Sequence, residues 1–276
     1  MTYSFMSKQS TGVFTEQLMR YAWVLMALLV LSIAAQCDEW KKNYTVTGTP
    51  DVIVESGDGN IEVRSGGQSE VAARITTEGW QIGQQVRIDE RQSGNRVEIT
   101  LHVPHINFGF HHRSILIELS VPSQSNLDLH SSDGHINVAQ VKGNLRLDSG
   151  DGRITGSGLD GNLSARTSDG SMSVDGRFDK LDIHTGDGRV DAHVGQGSTM
   201  AAMWSIDTSD GSVRLGLPAN FAADLEAKTG DGHITCDFPV TMNGRLSESS
   251  LRGKLNGGGQ TLEIHTGDGS ITIEKD

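Results

Sequence analysis

The residues with the clearest chemical potential are eight aspartates, Asp58, Asp133, Asp151, Asp169, Asp187, Asp210, Asp231 and Asp268. Each is followed by a glycine: Gly59, Gly134, Gly152, Gly170, Gly188, Gly211, Gly232 and Gly269. From Asp133 onward the spacings are 18, 18, 18, 23, 21 and 37 residues. If such repeats stack, neighbouring carboxylates fall ~5 Å apart and next neighbours ~10 Å, which spans the separations used by retaining and inverting glycosidases. Against catalysis, near-identical copies do not make one differentiated acid/base pair, and beyond residue 35 Tyr44 is the only tyrosine available to stack on a sugar. Cation binding is the weaker alternative, with Asp133, Asp151, Asp169, Asp187, Asp210 and Asp231 as its candidates. One carboxylate per repeat is thin for a calcium ion that wants six to eight oxygens, and the glycine pair that opens a calcium β-roll repeat is missing. Two carboxylates ~5 Å apart in water repel by only about 1 kcal/mol, so the row needs no cation. All eight Asp-Gly pairs are therefore read as structural turns, with no catalytic residue and no cofactor.

The elements that must hold these turns follow from the pattern around them. Each unit alternates apolar and polar residues on both sides of a Ser/Thr, Gly/Ser, Asp, Gly core, as in Leu181, Ile183, Thr185, Gly186, Asp187, Gly188, Val190 and Ala192. A period of two marks a strand with one buried face. Asp-Gly is a turn signal because aspartate can bond nearby backbone and glycine tolerates positive φ. The preceding Ser or Thr points inward and is expected to satisfy buried backbone groups. Leu145, Leu147, Ile154, Leu163, Ala165, Met172, Val174, Leu225, Ala227, Ile234 and Cys236 are the expected core residues.

A hairpin meander has the same parity, but it would present a wide apolar face, and no amphipathic helix follows to cover it. A solenoid closes its two walls on each other. The expected fold is all-β, a β-solenoid of about 18-residue coils over 125–276, with a more antiparallel, strand-rich lobe over 36–124 that includes the first repeat. Within that lobe Val86–Val103 reads as a hairpin around Ser93, Gly94 and Asn95, and Ser114–Val121 as a strand. The final gap of 37 residues, about two periods, reads as a coil that lost its motif or carries an insertion.

At the N-terminus Lys8 and Arg20 outweigh Glu16, and Tyr21–Ala35 runs without a charge and ends in small residues. This predicts a signal peptide over 1–35, with an uncleaved anchor as the alternative. Cys37 invites lipidation, but Gln36 before it is not small. The protein is thus expected to be exported to the periplasm or cell surface, with membrane contact only through the N-terminal segment or a lipidated Cys37. A Cys37–Cys236 bridge would suit an oxidising compartment, though nothing in the spacing supports one. With 23 basic and 35 acidic residues the net charge is −12, which excludes a phosphate-backbone partner. His102, His105, His111 and His112 crowd one glycine-containing segment that lacks a carboxylate or cysteine, so an exposed loop explains them as well as a metal does. His130, His184 and His265 point outward and would line up as a solvated stripe. No nucleophile elbow, zinc-protease helix or phosphate loop occurs.

The Ser/Thr-x-Asp-Gly units, the run Ile115–Pro122 leading into Leu127 and Leu129, and Leu251–Gly259 ahead of the final Thr266–Ile271 unit together resemble the bacterial "putative adhesin" family of exported β-strand-repeat proteins. The resemblance covers residues 38–276. It implies a strand-rich repeat fold with a surface role and supplies no catalytic residues. The expected function is a non-catalytic cell-envelope module, adhesin-like, with a protein or glycan surface partner. The alternatives are a polysaccharide-active β-helix enzyme and a calcium-stabilised surface repeat protein.

Overall fold

The computed structural model describes residues 37–103, 113–242 and 247–276. The expected signal segment and His105, His111 and His112 lie outside the described residues. Among the described residues every regular element is a strand. The first seven are β1 (Cys37–Thr45), β2 (Asp51–Ser56), β3 (Asn60–Ser65), β4 (Glu70–Glu78), β5 (Arg87–Ser93), β6 (Arg96–His102) and β7 (Ser114–Val121). Then come β8 (Asn126–Ser131), β9 (Ile136–Ala139), β10 (Lys142–Ser149), β11 (Ile154–Thr167), β12 (Met172–Thr185), β13 (Val190–Val194), β14 (Trp204–Thr208) and β15 (Val213–Leu217). The last six are β16 (Ala223–Thr229), β17 (Ile234–Cys236), β18 (Val240–Met242), β19 (Ser250–Leu255), β20 (Thr261–Thr266) and β21 (Ile271–Lys275).

The segments on either side of an Asp-Gly turn do not pair antiparallel across it, so the units are not hairpins. Each strand pairs in parallel with its equivalent in the neighbouring repeat, and Leu127, Leu145, Leu163 and Leu181 lie side by side. One ladder holds the strands before the turns and runs β6, β2, β8, β10, β11, β12, β14, β20, β16. The other holds those after the turns and runs β7, β3, β9, β11, β12, β13, β15, β21, β17. β11 and β12 are 14 residues each and continue around the corner opposite the Asp-Gly turns, contributing to both ladders. The arrangement is solenoid-like.

Alternation places the apolar residues of both ladders in a single core cluster, including Leu147, Ala165, Ile183 and Ile206 from one side and Ile154, Met172, Val190 and Val213 from the other. Removing one large aliphatic side chain from water contributes roughly 1.5–3 kcal/mol, so the interior of the stack dominates its stability. Trp204, fully buried, packs on Phe221 at a centroid distance of 5.2 Å where the coils are longest. Ile234 and Cys236 only pack partly against the core, because β17 is the outermost strand of its ladder.

The order of coils in space differs from their order in sequence at both ends. The first motif coil, β2–β3, lies between β6–β7 and β8–β9, and the last, β20–β21, lies between β14–β15 and β16–β17. The 37-residue gap is therefore neither a lost motif nor an insertion in a sequential stack. The chain passes one level by, builds the end coil and its covering strands, and returns to fill the vacant level.

Antiparallel strands cover both ends. β5 pairs with β6 across a tight turn in which Gly94 has φ 61°, as expected for Val86–Val103, and β1, β4 and β7 form an antiparallel run beside β3. At the far end β16, β19 and β18 pair antiparallel. The edge strand β5 reads Arg-Ile-Asp-Glu-Arg-Gln-Ser and is largely exposed, a charged edge of the kind that resists further pairing.

The motif glycines serve a purpose other than the one their turn signal suggests. None of the eight has positive φ. Instead a Cβ on Gly188 would collide with the backbone carbonyl of Gly170, and Gly134, Gly152, Gly170, Gly211, Gly232 and Gly269 stand in the same relation to the glycine of the adjoining level. Glycine is required because backbone stacks on backbone. Gly188→Ala is therefore expected to destabilise by about 1–3 kcal/mol through overpacking. Gly57→Ala, with open space around its Cβ position, is expected to be near neutral. Equal denaturation midpoints for the two variants would contradict this packing.

Candidate functional site

The Asp-Gly edge is built from the inside outward. Ser56, Ser131, Ser149, Thr167, Thr185, Thr208, Thr229 and Thr266 are all buried. In the regular levels each hydroxyl accepts from the motif glycine N–H of its own turn and donates to the motif glycine carbonyl of the adjoining level. Thr185 Oγ1 accepts from Gly188 N at 3.2 Å and donates to Gly170 O at 3.1 Å, and Ser149 Oγ does the same with Gly152 N and Gly134 O at 3.0 Å each. The backbone adds a second row, in which Gly186 N and Asp187 N both donate to Ser168 O, at 2.7 and 3.0 Å. In the regular levels the motif glycine N–H and C=O trapped at the bend are thereby paired.

The aspartates expected at this edge do lie along it, in the spatial order Asp58, Asp133, Asp151, Asp169, Asp187, Asp210, Asp268, Asp231. All eight are exposed. No hydrogen bond or ion pair ties their carboxylates to described residues, so the expected bond from aspartate to nearby backbone is replaced by the Ser/Thr hydroxyl. The row carries one carboxylate per level, and among the described residues no three His, Cys, Asp or Glu side chains converge on a point where a metal could sit.

The outer face of the first ladder carries a feature that the turn motif hides. Asn126 Nδ2 donates to Asp51 Oδ1 at 2.8 Å, Asn144 to Asn126 at 3.1 Å and Asn162 to Asn144 at 2.8 Å. This amide row, with Asp128, Arg146, Ser164 and Lys180, lines a shallow groove of about 590 Å³. Its signal was in the sequence as an Asn-Leu pair recurring at 126, 144 and 162, in step with the turns.

The residues just before the hydroxyls run Glu55, His130, Asp148, Arg166, His184, Asp207, His265, Lys228 in space. His130, His184 and His265 are exposed as expected, yet they form no stripe. Asp207 separates His184 from His265, with N···O distances of 3.9 and 3.5 Å, and His130 lies between Glu55 and Asp148. His102 stands 3.0 Å from Asp89 on β5.

At the opposite corner Arg177 holds Asp160 at 2.6 Å and grips Asp179 with two bonds of 2.6 and 2.8 Å, while Thr199 Oγ1 donates to Asp179 at 3.2 Å. The Arg177 guanidinium, with Thr199 assisting against partial burial, lowers the Asp179 pKa below its ordinary 3.8. At Asp160 burial pushes upward, and Arg177 and Lys142 together outweigh it and lower the pKa. Cys37 is exposed, and Cys236 is half-buried with its thiol pKa raised by burial. Cys37 is on β1, joined through β4 to the β7 end of the second ladder, and Cys236 is on β17 at its other end, ten strand steps or about 48 Å apart at ~4.8 Å per step, so no bridge can join them.

Stacked parallel coils around one apolar interior, with polar outer faces, define a solenoid-like all-β repeat protein. Residues 45–274 match the Toastrack family, DUF4097, and the chain belongs to that family. A "putative cell adhesion protein" from Clostridium sporogenes is 14% identical over 87% of this chain and 100% of its own, with a TM-score of 0.43. A "putative adhesin" from Parabacteroides merdae is 12% identical over 86% and 97%, also at 0.43. A "putative lipid binding protein" from Parabacteroides distasonis is 13% identical over 87% and 98%, at 0.39. No functionally curated protein matches the chain.

Two measurements probe the edge and the corner. Thr185→Val keeps the shape and removes the hydroxyl, leaving Gly188 N–H and Gly170 C=O unpaired, and is expected to cost about 2–3 kcal/mol against under ~1 for Thr185→Ser. Equal stabilities in denaturant titration would show that the hydroxyl row contributes nothing. Because the folded pKa of Asp179 is depressed, its contribution is present above the ordinary value of 3.8 and is lost as pH falls through the lowered one. Asp179→Asn should flatten the acid limb of a stability–pH profile, and an unchanged limb would contradict that linkage.

Proposed function

We propose that this chain is an exported, non-catalytic module of the bacterial cell envelope that binds a glycan or protein surface through its outer faces. In this reading residues 1–35 are the export signal, 36–124 an N-terminal strand-rich lobe, and 125–276 the repeat region of a β-solenoid with coils of about 18 residues. The observation that supports it best is the amide row over Asp51, Asn126, Asn144 and Asn162, set in an open polar groove. Asn126 and Asn144 each spend one amide N–H within the row and keep a second, and Asn144 Oδ1 keeps a second lone pair while Asn126 Oδ1 accepts from both Asn144 N and Asn144 Nδ2, a repeating pattern suited to hydroxyl-rich polymers.

An enzyme of the polysaccharide-active β-helix type would need two carboxylates in unlike environments. The eight motif aspartates share one environment, all exposed at equivalent bends. A calcium-stabilised repeat would need several oxygens around one ion, and each level offers one carboxylate.

The test is a glycan array probed with the chain lacking residues 1–35, alongside an activity screen on uronic-acid and cell-wall glycans. Binding that falls at least tenfold in Asn144→Ala and Asn162→Ala, without turnover, is expected. Turnover abolished by a single motif aspartate substitution would replace this reading with the enzymatic one. The melting temperature is expected to be the same in chelator and in millimolar calcium, and a clear rise with calcium would favour the ion-stabilised alternative.

A further inference from the structure

The C-terminal coil occupies a level that the chain first leaves vacant. β20 pairs in parallel with β14 on one side and β16 on the other, aligning Trp204, Leu262 and Leu225, then Ile206, Ile264 and Ala227, then Thr208, Thr266 and Thr229. β21 does the same between β15 and β17. The vacant level is defined entirely by features that recur in the repeat: a parallel strand on each side, an inward apolar pair and a hydroxyl. Thr266 Oγ1 donates to Gly211 O at 2.8 Å, and Thr229 Oγ1 to Gly269 O at 2.7 Å, so the coil completes the hydroxyl row in both directions.

Among the described residues the inserted coil is joined to the other strands through β19. It ends at Asp276, held by Asp276 N to Leu217 O at 2.9 Å and by His193 Nδ1 at 3.4 Å from the Asp276 carboxylate. It is joined to β19 by Asn256-Gly257-Gly258-Gly259-Gln260, in which Asn256, Gly257 and Gly258 have φ of 45°, 94° and 89°. A glycine-rich connection can re-aim the strand pair after a change of a few dihedrals. The corresponding N-terminal insert, β2–β3, lacks this freedom, since it is followed by the remainder of the fold and preceded by β1, which is paired along β4.

We propose that residues 261–275 are an exchangeable coil, and that the level between β14–β15 and β16–β17 accepts the C-terminal coil of a second copy of this chain, giving a reciprocally swapped dimer. Every contact in the swapped species already exists within one copy, and only the connection at 256–260 changes path. The inference stands apart from the binding reading above, as it concerns the chain's contact with itself.

The experiment uses the full chain with Cys37→Ser to remove the exposed thiol. Asp207 and His265 are register partners on β14 and β20. Asp207→Cys and His265→Cys placed together in one chain, kept dilute, are expected to form a disulfide within that chain, which checks that the coil docks as described. Failure to form it in a folded chain would overturn the proposal. Copies carrying Asp207→Cys alone are then mixed with copies carrying His265→Cys alone, unfolded together and refolded at high concentration. The expected result is a covalent species of twice the 29.6 kDa chain mass, with its disulfide mapped between position 207 of one copy and 265 of the other. Only monomers, or dimers whose disulfides do not join these positions, would overturn it.

Discussion

The structure depends on how closely one bend can sit upon the next. At each Asp-Gly turn two backbones approach until no side chain fits between them, and the polar groups trapped there are satisfied by a hydroxyl that accepts within its own level and donates to the adjoining one. Buried N–H and C=O groups cost several kcal/mol when unpaired, so the Ser/Thr and the glycine act as one unit. Loss of the hydroxyl orphans two backbone groups, and loss of the glycine separates the levels. The parallel ladders can then keep their side-by-side register, and the apolar walls meet without a helix to cover them.

That constraint explains why the aspartates, the most visible residues of the motif, all stand exposed at the bends. The inner side of the bend is occupied by hydroxyl and glycine, leaving the carboxylate only the solvent side, once per level. The broad faces of the ladders bring together a different set of polar groups. Side chains that are far apart in sequence become neighbours there, as Asp51 and Asn126 do in the amide row and Asp207 and His265 do on β14 and β20.

Much of this was legible in the sequence. Strict alternation about Leu181, Ile183 and Val190 marked the buried faces, the recurring Ser/Thr ahead of each turn pointed inward, and Gly94-Asn95 marked the hairpin. What could not be read was the order of the levels. Nearly identical motifs give nearly identical registers, so periodicity alone does not say whether Asp268 stacks on Asp231 or slips in beside Asp210. The role of glycine was misassigned for a related reason: an Asp-Gly pair signals a turn through its φ preference, while the collision that demands glycine here is with a residue of another repeat. The histidine stripe failed because the intervening levels carry other residues at that position: Asp148 and Arg166 separate His130 from His184, and Asp207 separates His184 from His265. The Arg177 corner was missed because Asp160, Arg177 and Asp179 meet only where the long strands β11 and β12 bend.

The motif glycine amides give the most direct test. In stacked levels the N–H groups of Gly134, Gly152, Gly170, Gly188 and Gly211 are buried and bonded to the inward hydroxyl of their own turn. Native-state hydrogen exchange should find them among the slowest amides, opening only with global unfolding. Fast exchange at these five positions, as expected at the exposed tips of independent hairpins, would contradict the account.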